Sequence, residues 1–225
     1  MKRVFYFAAI IAAVGALEAN PARAQMIDST KPAADSSKRP LDSTKADSAA
    51  AKPKKADLWS VGKVDGRVSL RADLSARTLT VMGNDGAIRT FNVAIGSPNY
   101  PTPTGTYSIR KIVWNPSWIP PDSKWAKKET AKGPGEKGNP MKVAKIFFKE
   151  PDYYIHGTGQ VNSLGDAASH GCLRMHPDEV AELAQFLMNN GGQPREEGWF
   201  SRVIHMRWRT HTVYLSQPIT LVVSR

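Results

Sequence analysis

The chain has 225 residues, with 31 Lys and Arg against 20 Asp and Glu, a formal net charge of +11, and one cysteine. A single cysteine excludes an internal disulfide framework, and this length holds one sizeable domain plus accessory segments rather than a string of modules. The basic balance fits equally an anionic partner, which the compartment must narrow down, and a generic solubility charge, since no single basic face can be read from the sequence.

Lys2 and Arg3 precede an apolar run from Val4 to Leu17, and Ala22-Arg23-Ala24 then supplies a small-x-small cleavage pattern before Gln25. This reads as a secretory signal peptide over residues 1–24. The run is shorter than the roughly 20 residues a spanning helix needs, so no stable membrane span is expected. Export disfavours nucleic acid as the partner and favours an anionic wall polymer or membrane surface; the short leader and the alanine-rich segment after it favour a periplasm, with an extracytoplasmic cell wall as the alternative.

Residues 25–57 are Ala, Ser, Asp, Lys, Thr and Pro with almost no large apolar side chain. Such a segment cannot bury enough surface to offset its ordering entropy and reads as a disordered linker. Asp28-Ser29-Thr30-Lys31 recurs in it as Asp42-Ser43-Thr44-Lys45, a low-complexity duplication rather than a solenoid repeat. The remaining residues, 58–225, suffice for one domain with a real core.

That domain opens as β structure. Alternation predicts strands over Arg67 to Asp73, Thr78 to Met82 and Ile88 to Ile95, with turns at Leu74-Ser75-Ala76-Arg77 and Asn84-Asp85-Gly86. Pro101-Thr102-Pro103-Thr104-Gly105 must be a loop, after which Thr106 to Val113 resumes strand-like alternation. From Trp114 to Lys142 the chain carries five prolines and three glycines along with Trp114, Trp118 and Trp125, which forbids long regular structure. A connection of this length is either a functional lid or a cap in which the tryptophans close the core edge. Val143 to Lys149 and Tyr153 to His156 read as two more strands, the second delivering His156 at its end.

Cys172 follows in Ser169-His170-Gly171-Cys172-Leu173-Arg174-Met175, shortly after Ile155-His156-Gly157-Thr158. A lone cysteine is ordinarily a buried, inert one. A free thiol in an exported protein is a liability unless used, however, and two histidines lie near it in sequence. A thiolate nucleophile needs a base, because an ordinary thiol is only partly ionised at neutral pH. The Gly171 and Cys172 N–H groups are candidates for an oxyanion hole, Arg174 for a carboxylate contact or a loop brace, and Ser169 for a substrate contact or a backbone-bonding turn. Metal binding through His156, His170, Cys172 and His176 fits no standard zinc spacing, so no metal is expected.

Pro177 to Asn190 is the clear helix: Pro177 suits the first position, Asp178 and Glu179 complement the dipole, and Val180, Leu183, Ala184 and Leu187 form one stripe ending at Gly191. Beyond it, Pro194 to Glu197 breaks the chain. Arg202 to Arg209 reads as an ordinary strand with exposed charges, or as a basic, Trp-bearing surface for a glycan. Val213 to Val223 reads as closing strands interrupted at Gln217-Pro218. His176, His205 and His211 match no motif and read as surface or helix-cap residues.

The two histidine motifs together resemble the signature of the L,D-transpeptidase catalytic domain, also called the YkuD domain. The resemblance extends, in order, to Asp73-Leu74-Ser75-Ala76-Arg77-Thr78-Leu79, the Pro101 to Gly105 loop, Asn115-Pro116-Ser117-Trp118 and Gly138-Asn139-Pro140-Met141. It departs at Lys142, where the family usually has glycine, and in the charged stretch before it. The resemblance implies a mainly β, β-sandwich-like domain with one principal helix after the nucleophile motif, acting on peptidoglycan stem peptides without a cofactor.

It further implies Cys172 as nucleophile, His156 as base and proton carrier, and the Gly157 carbonyl orienting the imidazole. An amide oxygen can hold a tautomer as a carboxylate does, with less stabilisation of imidazolium. His170 is the competing base, since i and i+2 share a face of an extended segment; it is otherwise a supporting residue. The implied reaction releases D-alanine from a tetrapeptide stem, leaves a thioester, and passes the acyl group to an amine, making a 3→3 cross-link. Water as acceptor would give an L,D-carboxypeptidase, and a wall-protein lysine would give protein anchoring. The reading from a different class is a non-catalytic peptidoglycan-binding module.

Overall fold

The computed structural model describes residues 62–225; the expected leader and linker lie outside the described residues. The described residues form a mainly β, sandwich-like fold with ten strands in chain order. They are β1 (Ser69–Asp73), β2 (Thr78–Gly83), β3 (Gly86–Asn92), β4 (Ile95–Gly96), β5 (Gly105–Trp114), β6 (Lys142–Lys149), β7 (Tyr153–Gly157), β8 (Ala167–Ser169), β9 (Leu173–Met175) and β10 (His211–Ser224). Eight form one mixed sheet in the order β3-β2-β1-β10-β5-β6-β7-β9, and β4 pairs with β8 apart from it.

Local chemistry accounts for the hairpins. At the first turn Asp73 Oδ1 accepts from the Ala76 N–H at 2.8 Å and Arg77 takes φ +55°. Asn84 and Asp85 connect β2 and β3, and the positive φ of this turn, +117°, falls on Gly86, which has no Cβ to oppose it. The strand expected to run to Ile95 stops at Asn92, because Ala94 leaves to exchange both main-chain hydrogen bonds with Arg174. The expected interruption at Gln217-Pro218 is a register shift within one long strand, β10, between Tyr214 and Ile219 in its pairing with β5. Pro218 fits there because a bulge spares it a ladder donor.

Helix α1 (Pro177–Asn190) has the expected bounds, and its stripe of Val180, Leu183, Ala184 and Leu187 is buried. His176 is its N-cap, with Nδ1 accepting from the Asp178 N–H at 3.3 Å. A second helix, α2 (Glu197–His205), takes up the first part of the stretch Arg202 to Arg209 expected as strand, and the rest of it is turn. Phe200 and Val203 lie one turn apart and both enter the core, with Phe200 5.7 Å from the Trp114 ring. That three-residue apolar spacing was the available signal, obscured by the arginines around it. No described helix is long and apolar enough to cross a membrane.

Asn115 ties β5 to the end of α2. It sits at φ +47°, which asparagine tolerates better than most residues. Its Nδ2 donates to the carbonyls of Val203, Met206 and Arg209 at 2.7, 3.1 and 3.2 Å, while Thr210 Oγ1 donates back to its carbonyl at 2.8 Å. Asn115→Ala is expected to lower unfolding stability by about 2–3 kcal/mol, since it orphans buried carbonyls. Urea unfolding checks this, the midpoint falling with the slope unchanged.

Candidate active site

Alternation on three adjacent strands divides the sheet into two faces. Ala144, Ile146, Ile155, Leu173 and Met175 join the main core together with α1. The intervening positions carry chemistry instead: Lys145 and Phe147 on β6, Tyr154 and His156 on β7, Arg174 on β9 and Cys172 just before it. Phe147, Tyr154 and Cys172 share a second cluster with Trp118, Trp125 and Met141. β7 and β9 run parallel with Ile155 beside Leu173 and His156 beside Arg174, which draws Cys172 alongside Tyr154. β6 is antiparallel to β7 and sets Lys145 directly across from His156.

Of the residues singled out from sequence, Cys172, His156, Ser169, His170 and Arg174 line one cavity of about 910 Å³. His156 is buried at 3% exposure, and its Nδ1 lies 2.8 Å from the Gly157 carbonyl. A carbonyl only accepts, so Nδ1 carries the proton and Nε2 is left as the basic nitrogen. Burial holds the imidazole well below its ordinary range, to about 3; the Gly157 bond opposes this, and the Arg174 and Lys145 charges reinforce it. An ideal Cβ at Gly157 would fall 2.4 Å from the Lys142 carbonyl, so only glycine admits this approach.

Cys172 carries the opposite perturbation. Burial of the sulfur raises the thiol to about 11, against the Tyr154 main-chain N–H, the charges of Lys145 and Arg174, and the Tyr154 phenol. The thiol donates to the Asp152 carbonyl at 3.3 Å. Thiol and imidazole are therefore both neutral at rest. Gly171 shapes the turn before the sulfur at φ +106°, where a Cβ would meet the Tyr153 ring at 2.7 Å.

Three residues with two roles open to each from the sequence make the following contacts. Ser169 is buried and braces the loop: its Oγ donates to the Cys172 carbonyl at 2.6 Å and accepts from the Gly171 N–H at 3.0 Å. That bond commits the Gly171 N–H, one of the two donors considered for an oxyanion hole. Arg174, half-buried, donates to Gln160 Oε1 at 2.9 Å, so it braces the loop between β7 and β8 while its charge reaches the thiol. His170 stacks on Trp125 at 3.9 Å between ring centroids and tilts against Tyr100 at 4.8 Å. Burial and the Arg174 charge lower its pKa too.

The long segment from Asn115 to Met141 is ordered over this cavity. Trp118 and Lys132 exchange both main-chain hydrogen bonds at 2.8 Å, and Asn139 Nδ2 donates to the carbonyls of Pro116 at 2.9 Å and Gly133 at 2.8 Å. The tryptophans of this segment and the one just before it divide the two roles considered for them: Trp118 and Trp125 wall the cavity, whereas Trp114 at the end of β5 is fully buried core. Sequence reasoning missed Lys145 and Tyr154, whose positions read simply as strand. Among the described residues no cluster of three or more His, Cys, Asp or Glu is placed to hold a metal ion.

The profile of the L,D-transpeptidase catalytic domain family matches residues 67–204. Over 120 residues the chain is 30% identical to the YkuD protein of Bacillus subtilis (strain 168), covering 53% of this chain and 60% of that one. Over 125 residues it is 28% identical to L,D-transpeptidase 1 of Mycobacterium tuberculosis (strain H37Rv), covering 49% and 43%. The chain thus spans less than two thirds of either relative. A solved L,D-transpeptidase from Mycobacterium smegmatis superposes with a TM-score of 0.45 at 20% identity, over 71% of this chain and 59% of that one.

With both groups neutral at rest, alkylation of Cys172 by iodoacetamide is expected to accelerate about tenfold per pH unit between about pH 5 and about pH 7.5. Intact-mass kinetics measure it. A flat rate across that window is the signature of a thiolate–imidazolium pair and is not expected.

Proposed function

The chain belongs to the L,D-transpeptidase catalytic-domain family, and we propose that it is a cell-wall acyltransferase with Cys172 as nucleophile and His156 as general base. The observation that carries this reading is the tautomer of His156: the Gly157 carbonyl holds the proton on Nδ1, so Nε2 is available to a thiol on the same sheet face and in the same cavity. Because the resting pair is neutral, proton transfer accompanies attack rather than preceding it.

In the first half-reaction Sγ attacks the carbonyl between the third stem residue and D-alanine, and the S–H proton passes to Nε2. The tetrahedral intermediate collapses to a thioester, the C–N bond breaks, and His156 returns the proton to the departing D-alanine amine. In the second half an acceptor amine attacks the thioester, His156 takes its proton, and the proton returns to the leaving thiolate. The product is a 3→3 cross-link. The Cys172 N–H is the main-chain donor for the oxyanion, since Ser169 holds that of Gly171.

The cavity of about 910 Å³ is large enough for a peptide substrate, and transfer to an amine is the reading proposed, with water as the alternative acceptor. We further propose that the protein is exported to the periplasm through residues 1–24 and that residues 25–57 tether its domain. No cofactor is required by this chemistry. His170 closes the cavity with Trp125 and does not share the base role.

Incubating the purified protein with disaccharide-tetrapeptide, with products and intact protein followed by mass spectrometry, tests the reading. A transient acyl adduct on Cys172 and a cross-linked dimer are expected, and Cys172→Ala loses both. His156→Ala is expected to lose about 10²- to 10⁴-fold in kcat, the usual worth of a general base. Tripeptide as the sole product would make the protein a carboxypeptidase, and retention of sacculus binding with no adduct would make it a binding module.

A further inference from the structure

Lys145 is unusual for its place. It occupies an interior strand of the eight-stranded sheet yet is only 9% exposed, and lysine is rarely buried without a counter-charge. Its Nζ donates to a neutral acceptor, the Ser117 carbonyl, at 3.0 Å and lies 4.7 Å from the centre of the Tyr154 ring. Among the described residues no carboxylate comes within salt-bridge distance of it. The groups acting on it from surrounding elements are Lys111 on β5, Asp152 before β7, and Cys172. Tyr154 and His156 face it on β7, and Arg174 lies beyond His156 on β9. Of the charges acting on Lys145, the strongest is the one Cys172 would carry as a thiolate.

The backbone makes this placement deliberate. The β6–β7 register shifts between Lys142 and Lys145, and Val143 takes φ +63°, a left-handed conformation costly for a β-branched residue. The irregularity ends with Lys145 opposite His156, on the face bearing the thiol.

Resting on the acyltransferase reading, we propose that Lys145 is a positioning residue for the nucleophile, its ammonium supplying the positive charge that stabilises the Cys172 thiolate as His156 removes the proton. His156 is poorly suited to that task alone. It is buried, and its orienting partner is an amide carbonyl rather than a carboxylate, so imidazolium gains little from its surroundings. Lys145 bears its charge before the reaction starts and is fixed on a strand, so no reorganisation accompanies thiolate formation. The ammonium keeps its proton throughout; the proton that moves is the thiol's, to Nε2.

The test is the pH profile of iodoacetamide alkylation at Cys172 in the full-length protein, as wild type, Lys145→Met and Lys145→Arg, with thermal melts alongside. Burial lowers Lys145 to about 8. The wild-type rate is therefore expected to climb with pH and then flatten above about pH 8, where Lys145 loses its charge and the thiolate its support. Lys145→Met is expected to react about tenfold more slowly at pH 7, the effect of one pKa unit, and to keep climbing without the shoulder. Lys145→Arg is expected to match wild type at pH 7 and also to lack the shoulder, since guanidinium stays charged.

A folded Lys145→Met whose profile superimposes on wild type would overturn the proposal. So would a shoulder that persists in Lys145→Arg, which decides the matter even if the methionine variant does not fold. Alkylation needs no peptide substrate, so these outcomes are separate from whether wild type converts disaccharide-tetrapeptide.

Discussion

The parallel pairing of β7 with β9 is the constraint on which the rest of the site depends. It joins two strands separated in sequence by the loop through β8, and its register sets Ile155 beside Leu173 and His156 beside Arg174. Because side chains alternate, the same register sends Ile155, Leu173 and Met175 into the core under α1 and leaves Tyr154, His156, Cys172 and Arg174 on the other face. A slip of one residue would exchange the faces, burying the thiol among aliphatic side chains and exposing leucine and methionine. Core packing and site assembly are therefore enforced by one set of contacts.

This arrangement puts polar groups where burial penalises their charged forms. The imidazole is held low and the thiol high, so proton transfer between them is uphill in isolation. The surroundings offset part of this cost unevenly. The Gly157 carbonyl orients His156 while adding little charge stabilisation, whereas Lys145 and Arg174 favour the thiolate and disfavour the imidazolium. Burial thus keeps the free thiol in its protonated form, and the two nearby cations are the groups that oppose this.

The segment from Asn115 to Met141 completes the cavity by three separate ties. Asn115 fastens its start to the end of α2, Asn139 knots its far end, and Lys145 holds the Ser117 carbonyl from beneath. Trp125 stacked on His170 joins it to the loop that carries Cys172. Asn115 and Asn139 belong to stretches legible as family landmarks, but their hydrogen bonds reach residues 94 and 23 positions away, which no local pattern reveals.

Much of the fold was legible because alternation and turn chemistry act locally: the first two hairpins, the bounds of α1 and the strand ending at His156 all follow from neighbouring residues. The two motifs named the nucleophile and base candidates for the same reason, since each is a contiguous string. Helix α2 escaped because its apolar residues sit among arginines, and its burial against Trp114 is a long-range event. Ser169 as a backbone-bonding turn and Arg174 as a loop brace were among the readings open from sequence, but only tertiary structure showed those contacts, engaged one of two candidate oxyanion donors and put a lysine of β6 in the same cavity as the thiol. Those roles depend on strand register and on which face a residue occupies, quantities set by contacts between distant segments rather than by any segment's own composition.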